Sequence, residues 1–299
     1  MNQKQPLIII VGPTASGKTS LSIKIAKEFN GEVISADSRQ VYHGLDLGSG
    51  KVTPAEMDGI SHHLLDVADP TTVYTAADFK RDATAAIVDI TNRSHLPIIA
   101  GGTFFYIDTL LGTMSIPAVP PDEELRAELE TKTTTELFAL LLNLDPVRAR
   151  TIDKDNPRRL VRAIEVASAL GSVPTHTETE SPYRTLKIGI EIAKDALHHN
   201  IHIRLLERLE AGMMREVEGL LKSGVTHERL ESFGLEYRYL SRYLRGLITY
   251  DHMVTELETK IRQFAKRQLT WLKRDTSITW VDPKNTHSVF DLTRTFLSK

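Results

Sequence analysis

Gly12-Pro13-Thr14-Ala15-Ser16-Gly17-Lys18-Thr19 fits the pattern G-x-x-x-x-G-K-[ST], and few short motifs restrict a fold more tightly. It follows Leu7-Ile8-Ile9-Ile10-Val11, an unbroken apolar run rich in β-branched residues. Such runs form strands buried on both faces of a parallel sheet. Leu21, Ile25 and Phe29 come next at helical spacing. A strand, a glycine-bearing loop and a helix in that order make a phosphate cradle. The loop backbone can turn its N–H groups toward phosphate oxygens, and the helix adds the positive end of its dipole. Lys18 is placed to neutralise phosphate charge and the Thr19 hydroxyl to coordinate Mg2+. The pattern arises by chance in roughly one chain in a hundred of this size, so an accidental glycine turn is the weaker reading. Which phosphate compound is held stays open.

The rest of the chain extends this start into an α/β fold. Glu32-Val33-Ile34-Ser35 reads as a second strand. Thr75 and Asp78 form a capping-box pattern ahead of Phe79, Ala83, Ala86, Ile87 and Ile90, which repeat on one helical face. Pro97 to Ala100 reads as a third strand ending at Gly101-Gly102. Strands alternating with helices predict a doubly wound parallel sheet. After Gly112 the pattern changes. Pro117, Pro120 and Pro121 punctuate the chain, and residues 122–170 read as helical, with Asn156 and Pro157 starting one helix and Gly171 stopping it. Ser172 to Ser181 is polar and turn-rich, and Leu186 to Ile192 reads as a strand returning to the sheet. Val254, Leu257, Ile261, Ala265, Leu269 and Leu272 trace the apolar stripe of a long helix, and Ile278 to Val281 a last strand. The expectation is a discontinuous α/β core of the P-loop type over residues 1–115 and 185–299, with an all-helical insertion at 116–184.

The 299 residues contain no cysteine, which excludes disulfides, thiolate metal sites and cysteine nucleophiles. The polar stretch Met1 to Pro6 lacks the features of a secretory signal, and no run approaches the length of a membrane span. A cytoplasmic monomer without membrane contact is expected. The net charge of −2 argues against a nucleic-acid partner only globally, because binding depends on where the cations sit.

Asp37-Ser38 follows the second strand, and ligands of open α/β sheets bind beyond the carboxyl ends of strands. Asp37 can therefore bind metal or act as general base, or it can simply cap a helix. Gly101-Gly102-Thr103 opens onto the same crevice, where the glycines serve tight packing equally well. Asp66, after Leu64-Leu65, is the nearest match to the strand-end aspartate of a nucleotide hydrolase.

Two basic clusters stand out. Arg148, Arg150, Lys154, Arg158, Arg159 and Arg162 fall within fifteen residues, with Arg158 and Arg162 on one helix face. Lys260, Arg262, Lys266, Arg267, Lys273 and Arg274 decorate the long C-terminal helix beside Phe264 and Trp271. Such faces bind phosphate backbones and stack on unpaired bases, although a solvated charged face is the commoner reading of either cluster alone. The pairs His62-His63 and His198-His199 read as turn or surface histidines, because neighbours in an element point apart. The residues by themselves stop at a phosphate-binding transferase or kinase, with RNA binding open.

Asp37-Ser38-Arg39-Gln40-Val41-Tyr42, His63-Leu64-Leu65-Asp66-Val67, Gly101-Gly102-Thr103, Asn156-Pro157-Arg158-Arg159-Leu160 and Ala265-Lys266-Arg267-Gln268-Leu269-Thr270-Trp271 follow the phosphate loop. In that order the chain resembles the tRNA dimethylallyltransferases, over residues 6–274. The resemblance implies transfer of a dimethylallyl group from dimethylallyl diphosphate to the N6 amine of the adenosine 3′ to the anticodon, with Mg2+ and the tRNA anticodon stem-loop as partners. It implies that residues 12–19 and Arg204 hold the diphosphate, with Thr19 on the metal. Asp37 resembles the general base, and Thr103 the residue beside the reacting centre, so that Asp37, Thr103 and Lys18 carry the chemistry. Asp37, Ser38, Arg39, Gln40 and Thr103 resemble the grip on a flipped adenosine. Arg126, Arg158, Arg159, Leu160, Val161 and Arg162 match tRNA-contacting positions. The chain departs from the family pattern at Gly234-Leu235, at Ile261 and within Gly48-Ser49-Gly50-Lys51. These departures bear on local RNA contacts and leave the diphosphate site and the base intact. The competing activity is a P-loop small-molecule or nucleoside kinase using Asp37 on a substrate hydroxyl, and the competing class is an RNA-binding protein without group transfer.

Overall fold

The computed structural model describes residues 4–114, 116–174 and 180–299. Residues 1–3 and 175–179, within the polar stretches noted above, lie outside the described residues. The chain divides into two compact units, one of residues 1–111 and 180–299, the other of residues 112–179.

The first unit is built on a parallel sheet. Its elements begin with β1 (Gln5–Val11), α1 (Lys18–Glu28), β2 (Gly31–Ala36), α2 (Pro54–Met57), β3 (His62–His63), α3 (Ala76–Asn92), β4 (Leu96–Gly101) and α4 (Phe104–Leu111). In the second unit lie α5 (Glu123–Glu130), α6 (Thr134–Leu144), α7 (Pro146–Ala149) and α8 (Pro157–Leu170). The chain re-enters the first unit with β5 (Tyr183–Ile190), then α9 (Lys194–Ala211), α10 (Met213–Lys222), α11 (His227–Phe233), α12 (Leu235–Leu244), α13 (Tyr250–Leu272), β6 (Ile278–Val281) and α14 (Thr286–Leu297). The six strands run in the order β3-β2-β4-β1-β5-β6, all neighbours parallel. β5 starts three residues earlier than the sequence pattern suggests, because Tyr183 to Thr185 pair with Gln5 to Leu7 before the apolar run begins.

Leu7 to Ile10 are wholly buried, as a central strand between two helical layers requires. Each such side chain contributes about 2 kcal/mol to the fold. On one side, Ile8, Ile10, Leu21, Ile25, Ile98, Ile188 and Val289 share a core. A second core joins α9 through α13 to the loop after β2, with Val41, Leu45, Ile201, Leu205, Leu240, Leu257 and Ala265 in contact. On α13 the buried positions are Met253, Leu257, Ile261, Ala265, Gln268 and Leu272. Gln268 thus joins the inward stripe beside Leu269, which packs partly buried against the same core.

The helix signals are realised locally. Thr75 and Asp78 make both halves of a capping box on α3, Asn156 caps α8 with Pro157 in its first turn, and Gly171 ends it in a left-handed conformation. His62 and His63 depart from expectation. They form the edge strand β3, and His63 Nε2 lies 2.6 Å from the buried carboxylate of Glu32.

In the second unit Leu129, Leu137, Leu141, Ala149, Leu160, Ala163 and Ile164 pack together. Leu160 is therefore corrected as a candidate RNA contact. It is wholly buried, at 0% exposure, and presents no surface. Leu160, Ala163, Ile164 and Ala167 recur at helical spacing, so the inward face of α8 is apolar by periodicity.

Candidate active site

Register brings the site together. Val11 pairs with Gly101, and Gly101 with Ala36, so three strands end at one level. The phosphate loop, Gly102-Thr103 and Asp37 each begin one residue later. With neighbouring strands about 4.8 Å apart, Gly12 and Asp37 leave the sheet about 10 Å from each other.

The loop has the cradle geometry. Ala15 (φ 61°) and Gly17 (φ 94°) are left-handed, and such reversals turn successive N–H groups to one side. At Gly17, the N-cap of α1, that conformation strains any other residue. The Ser16 hydroxyl is buried and has no hydrogen-bond partner among the described residues, which is costly unless a ligand supplies one. Lys18 Nζ donates to the Pro13 carbonyl at 2.7 Å. Burial pushes its pKa down to about 8, Asp37 acts against the shift, and Arg204 adds to it.

Asp37 caps no helix; it opens a turn in which Oδ1 accepts the Arg39 N–H at 2.9 Å. Thr103 locks this turn to the neighbouring strand, its Oγ1 accepting the Ser38 N–H at 3.0 Å and its N–H donating to the Ala36 carbonyl at 3.1 Å. Arg39 and Gln40 are partly committed internally. Arg39 donates to the carbonyls of Ser38 and Ser232, and burial lowers its pKa although Asp37 acts to raise it. Gln40 accepts from the Ser35 hydroxyl at 2.8 Å and donates to the Gly50 carbonyl at 3.2 Å. Asp66 is occupied by Lys51 Nζ at 2.5 Å, which makes it a brace of the loop after β2.

Several residues at the site escape sequence reasoning. Gln268 Oε1 accepts the Thr14 N–H at 2.9 Å, while Nε2 donates to the Gly102 carbonyl at 3.1 Å. Asn200 donates to the Ala15 carbonyl at 3.2 Å. A pocket beside the loop is lined by Thr14, Ala15, Arg204, Arg208, Glu236 and Ile261 among others. Arg204 thus lines the pocket beside the loop, and burial, with Arg208 adding to it, lowers its pKa to about 10. A polar residue on the buried stripe of α13 was the available signal for Gln268. Arg208 and Glu236 carried none.

Among the described residues no group of three or more His, Asp or Glu side chains could hold a metal. The exposed Thr19 hydroxyl at the first turn of α1 fits a different arrangement, in which one protein oxygen joins phosphate oxygens and water around Mg2+.

The second unit sorts its arginines. Glu165 is buried and accepts from the Asp122 N–H at 2.7 Å, from Arg126 Nε at 2.9 Å and from Arg162. Burial alone raises the Glu165 pKa, but these donors outweigh it and hold the group below its ordinary value. Arg162 also donates to the Val119 carbonyl at 2.8 Å. Arg126 and Arg162, each about a third exposed, are thereby tied to Glu165. Arg158 and Arg159 are exposed, with Arg159 3.7 Å from Asp153, and Val161 packs against the core.

A family model described as IPP transferase matches residues 40–275. The chain belongs to the IPP transferase family, that of the tRNA dimethylallyltransferases. A tRNA dimethylallyltransferase 2 of Shewanella sediminis is 43% identical over 268 residues, 90% of this chain and 89% of its own. The crystal structure of a tRNA isopentenylpyrophosphate transferase from Bacillus halodurans, 34% identical, superposes with a TM-score of 0.75 over 99% of this chain and 97% of that one. A eukaryotic dimethylallyltransferase acting on tRNA shares the fold at TM-score 0.82 and 24% identity, over 98% and 80% of the two chains. Nothing in these comparisons supports the kinase alternative. As an IPP transferase the chain is a prenyltransferase, and among its described residues no helix is long and apolar enough to cross a membrane.

Proposed function

We propose that this chain moves the dimethylallyl group of dimethylallyl diphosphate onto N6 of the adenosine 3′ to the anticodon of tRNA, releasing diphosphate. The observation that carries the reading is the common level of Val11, Gly101 and Ala36, which sets a phosphate cradle beside a carboxylate turn. The backbone N–H groups of residues 15–18, Lys18 and Arg204 hold the diphosphate, and the unpartnered Ser16 hydroxyl supplies one more donor. Thr19 would hold Mg2+, which when bound offsets charge on the diphosphate oxygens. As the allylic C1–O bond breaks, its electron pair leaves with the diphosphate, where those cations are already aimed. The adenine N6 lone pair forms the new C1–N bond, and Asp37 takes the proton that N6 sheds. Thr103 keeps that carboxylate in place through the Ser38 amide.

An adenine amine within a stacked loop is out of reach, so the base must be extruded, and Asp37 to Gln40 with Thr103 form its receiving wall. Arg158 and Arg159 of the helical insertion contact the tRNA backbone; Val161 supports them from the core side. The enzyme works in the cytoplasm as a monomer.

Purified chain incubated with labelled dimethylallyl diphosphate and unmodified tRNA should yield isopentenyladenosine on nucleoside analysis. Asp37→Asn should lower the single-turnover rate at least a hundredfold while tRNA affinity stays within threefold. Label incorporated without dependence on tRNA, or equal losses of rate and affinity, would remove the assignment.

A further inference from the structure

Two guanidiniums and one carboxylate meet beside the phosphate loop. Arg204 and Arg208 sit four residues apart on α9, one above the other on the same face. Both line the pocket floored by Thr14 and Ala15, together with Glu236 from the start of α12. The Arg208 and Glu236 side chains are mostly buried, 17% and 18% exposed, with Nη1 and Oε1 4.0 Å apart. Gly50 closes the far side. A Cβ there would fall 1.8 Å from Arg208 Nη2 and 3.2 Å from Arg204 Nη2, so bare backbone presses against both guanidiniums.

Like charges at this spacing repel, and desolvation sharpens the repulsion. Glu236 is the acid that lines the pocket with them, while Glu56 and Glu207 also act on Arg204. Lys18 and Asp37 act on each other beside them, and two guanidiniums lining one small pocket suit a multiply charged anion. Burial raises the Glu236 pKa, and Arg208 acts against that shift.

We infer that Arg208 is a second diphosphate-binding arginine, partner to Arg204, and that Glu236 is the positioning residue that holds Arg208 at the pocket and limits how tightly diphosphate is kept. The inference rests on the diphosphate reading of the loop. Glu236 stabilises the crowded guanidiniums before the anion arrives and repels the anion once it is there. Its presence weakens product retention, which serves turnover.

The test is calorimetric titration of the full chain with inorganic diphosphate and Mg2+ at low salt. Wild type should bind and Lys18→Ala should not; failure there overturns the diphosphate reading and this inference with it. Arg208→Met should weaken binding at least tenfold, with tRNA affinity unchanged. Glu236→Gln should tighten it threefold or more, an effect that a purely structural glutamate does not produce. The double variant should bind at least threefold more tightly than Arg208→Met alone. Arg208→Met within twofold of wild type, or Glu236→Gln at or below wild-type affinity, overturns the inference while leaving the loop reading intact. If thermal melting shows Arg208→Met unfolded, the near-isosteric Glu236→Gln decides by itself.

Discussion

The side chain of Gln268 accepts the backbone N–H of Thr14 at 2.9 Å, across 254 residues of sequence. Its amide nitrogen donates to the Gly102 carbonyl, so one side chain ties the phosphate loop to the strand end that leads into Thr103. Both tied groups are backbone, and leaving them unpaired costs about 1–3 kcal/mol each. Gln268→Leu should therefore lower kcat/KM for prenyl transfer at least tenfold, with a smaller loss for Gln268→Glu, which keeps the acceptor. Steady-state kinetics with full activity in the leucine variant would deny the tie any role in catalysis.

Lys18 titrates near 8 in the free protein, below its ordinary 10.5, chiefly because it is buried. A bound anion favours the charged form, so affinity is complete below pH 8. Above it, affinity should fall about tenfold per pH unit. Diphosphate titrations from pH 7 to 10 should show this loss, and Lys18→Arg, which keeps its charge throughout that range, should lack it. The fold itself responds in the opposite sense. The unfolded chain holds the proton more tightly, so this group's contribution to stability improves as pH rises from 8 to 10.5.

The arginines of α8 should separate by role. Arg158→Ala with Arg159→Ala should reduce the salt slope of tRNA binding by about two phosphate contacts, with melting unchanged. Arg162→Ala leaves Glu165 buried with one donor fewer and should cost about 2 kcal/mol in denaturant titration. An unchanged slope in the first variant returns those arginines to a solvated face.

Glu32 is nearly inaccessible, its side chain 4% exposed, and is bound by Arg93, His63 and His95. Hydrogen bonding from Arg93, against burial and with help from the histidines, draws its pKa from 4.5 down to about 2. A depressed carboxylate stabilises the fold above its unfolded value and loses that contribution on acidification, here between pH 4.5 and 2. Glu32→Gln should cost about 3 kcal/mol at pH 7 and flatten the acid limb of the stability profile. An acid limb identical to wild type would place the protein's acid sensitivity elsewhere.

What the sequence made legible was local. The phosphate loop, the Thr75–Asp78 capping box and the Asn156-Pro157 start of α8 are each decided by neighbours within a few residues, and each forms. The placement of Asp37 beside the loop also follows from pattern, because parallel strands share a carboxyl end. Leu160 was misjudged by following a motif through arginine neighbours when its own periodicity pointed inward. Gln268 left only its polar character on a buried stripe, and Asn200, Arg208 and Glu236 left nothing, for another reason. Their partners lie on elements joined only by the tertiary fold, and a hydrogen bond across 254 residues leaves no trace in spacing.

The bond from Lys18 to the Pro13 carbonyl carries a consequence for selectivity. Any visitor to the loop must exchange that contact for its own. A chloride or a lone carboxylate brings a single charge and few acceptors to the trade, whereas a pyrophosphoryl group brings several of each. On the proposed reading, the cradle should favour a spanning polyanion over the small ions that crowd a cell.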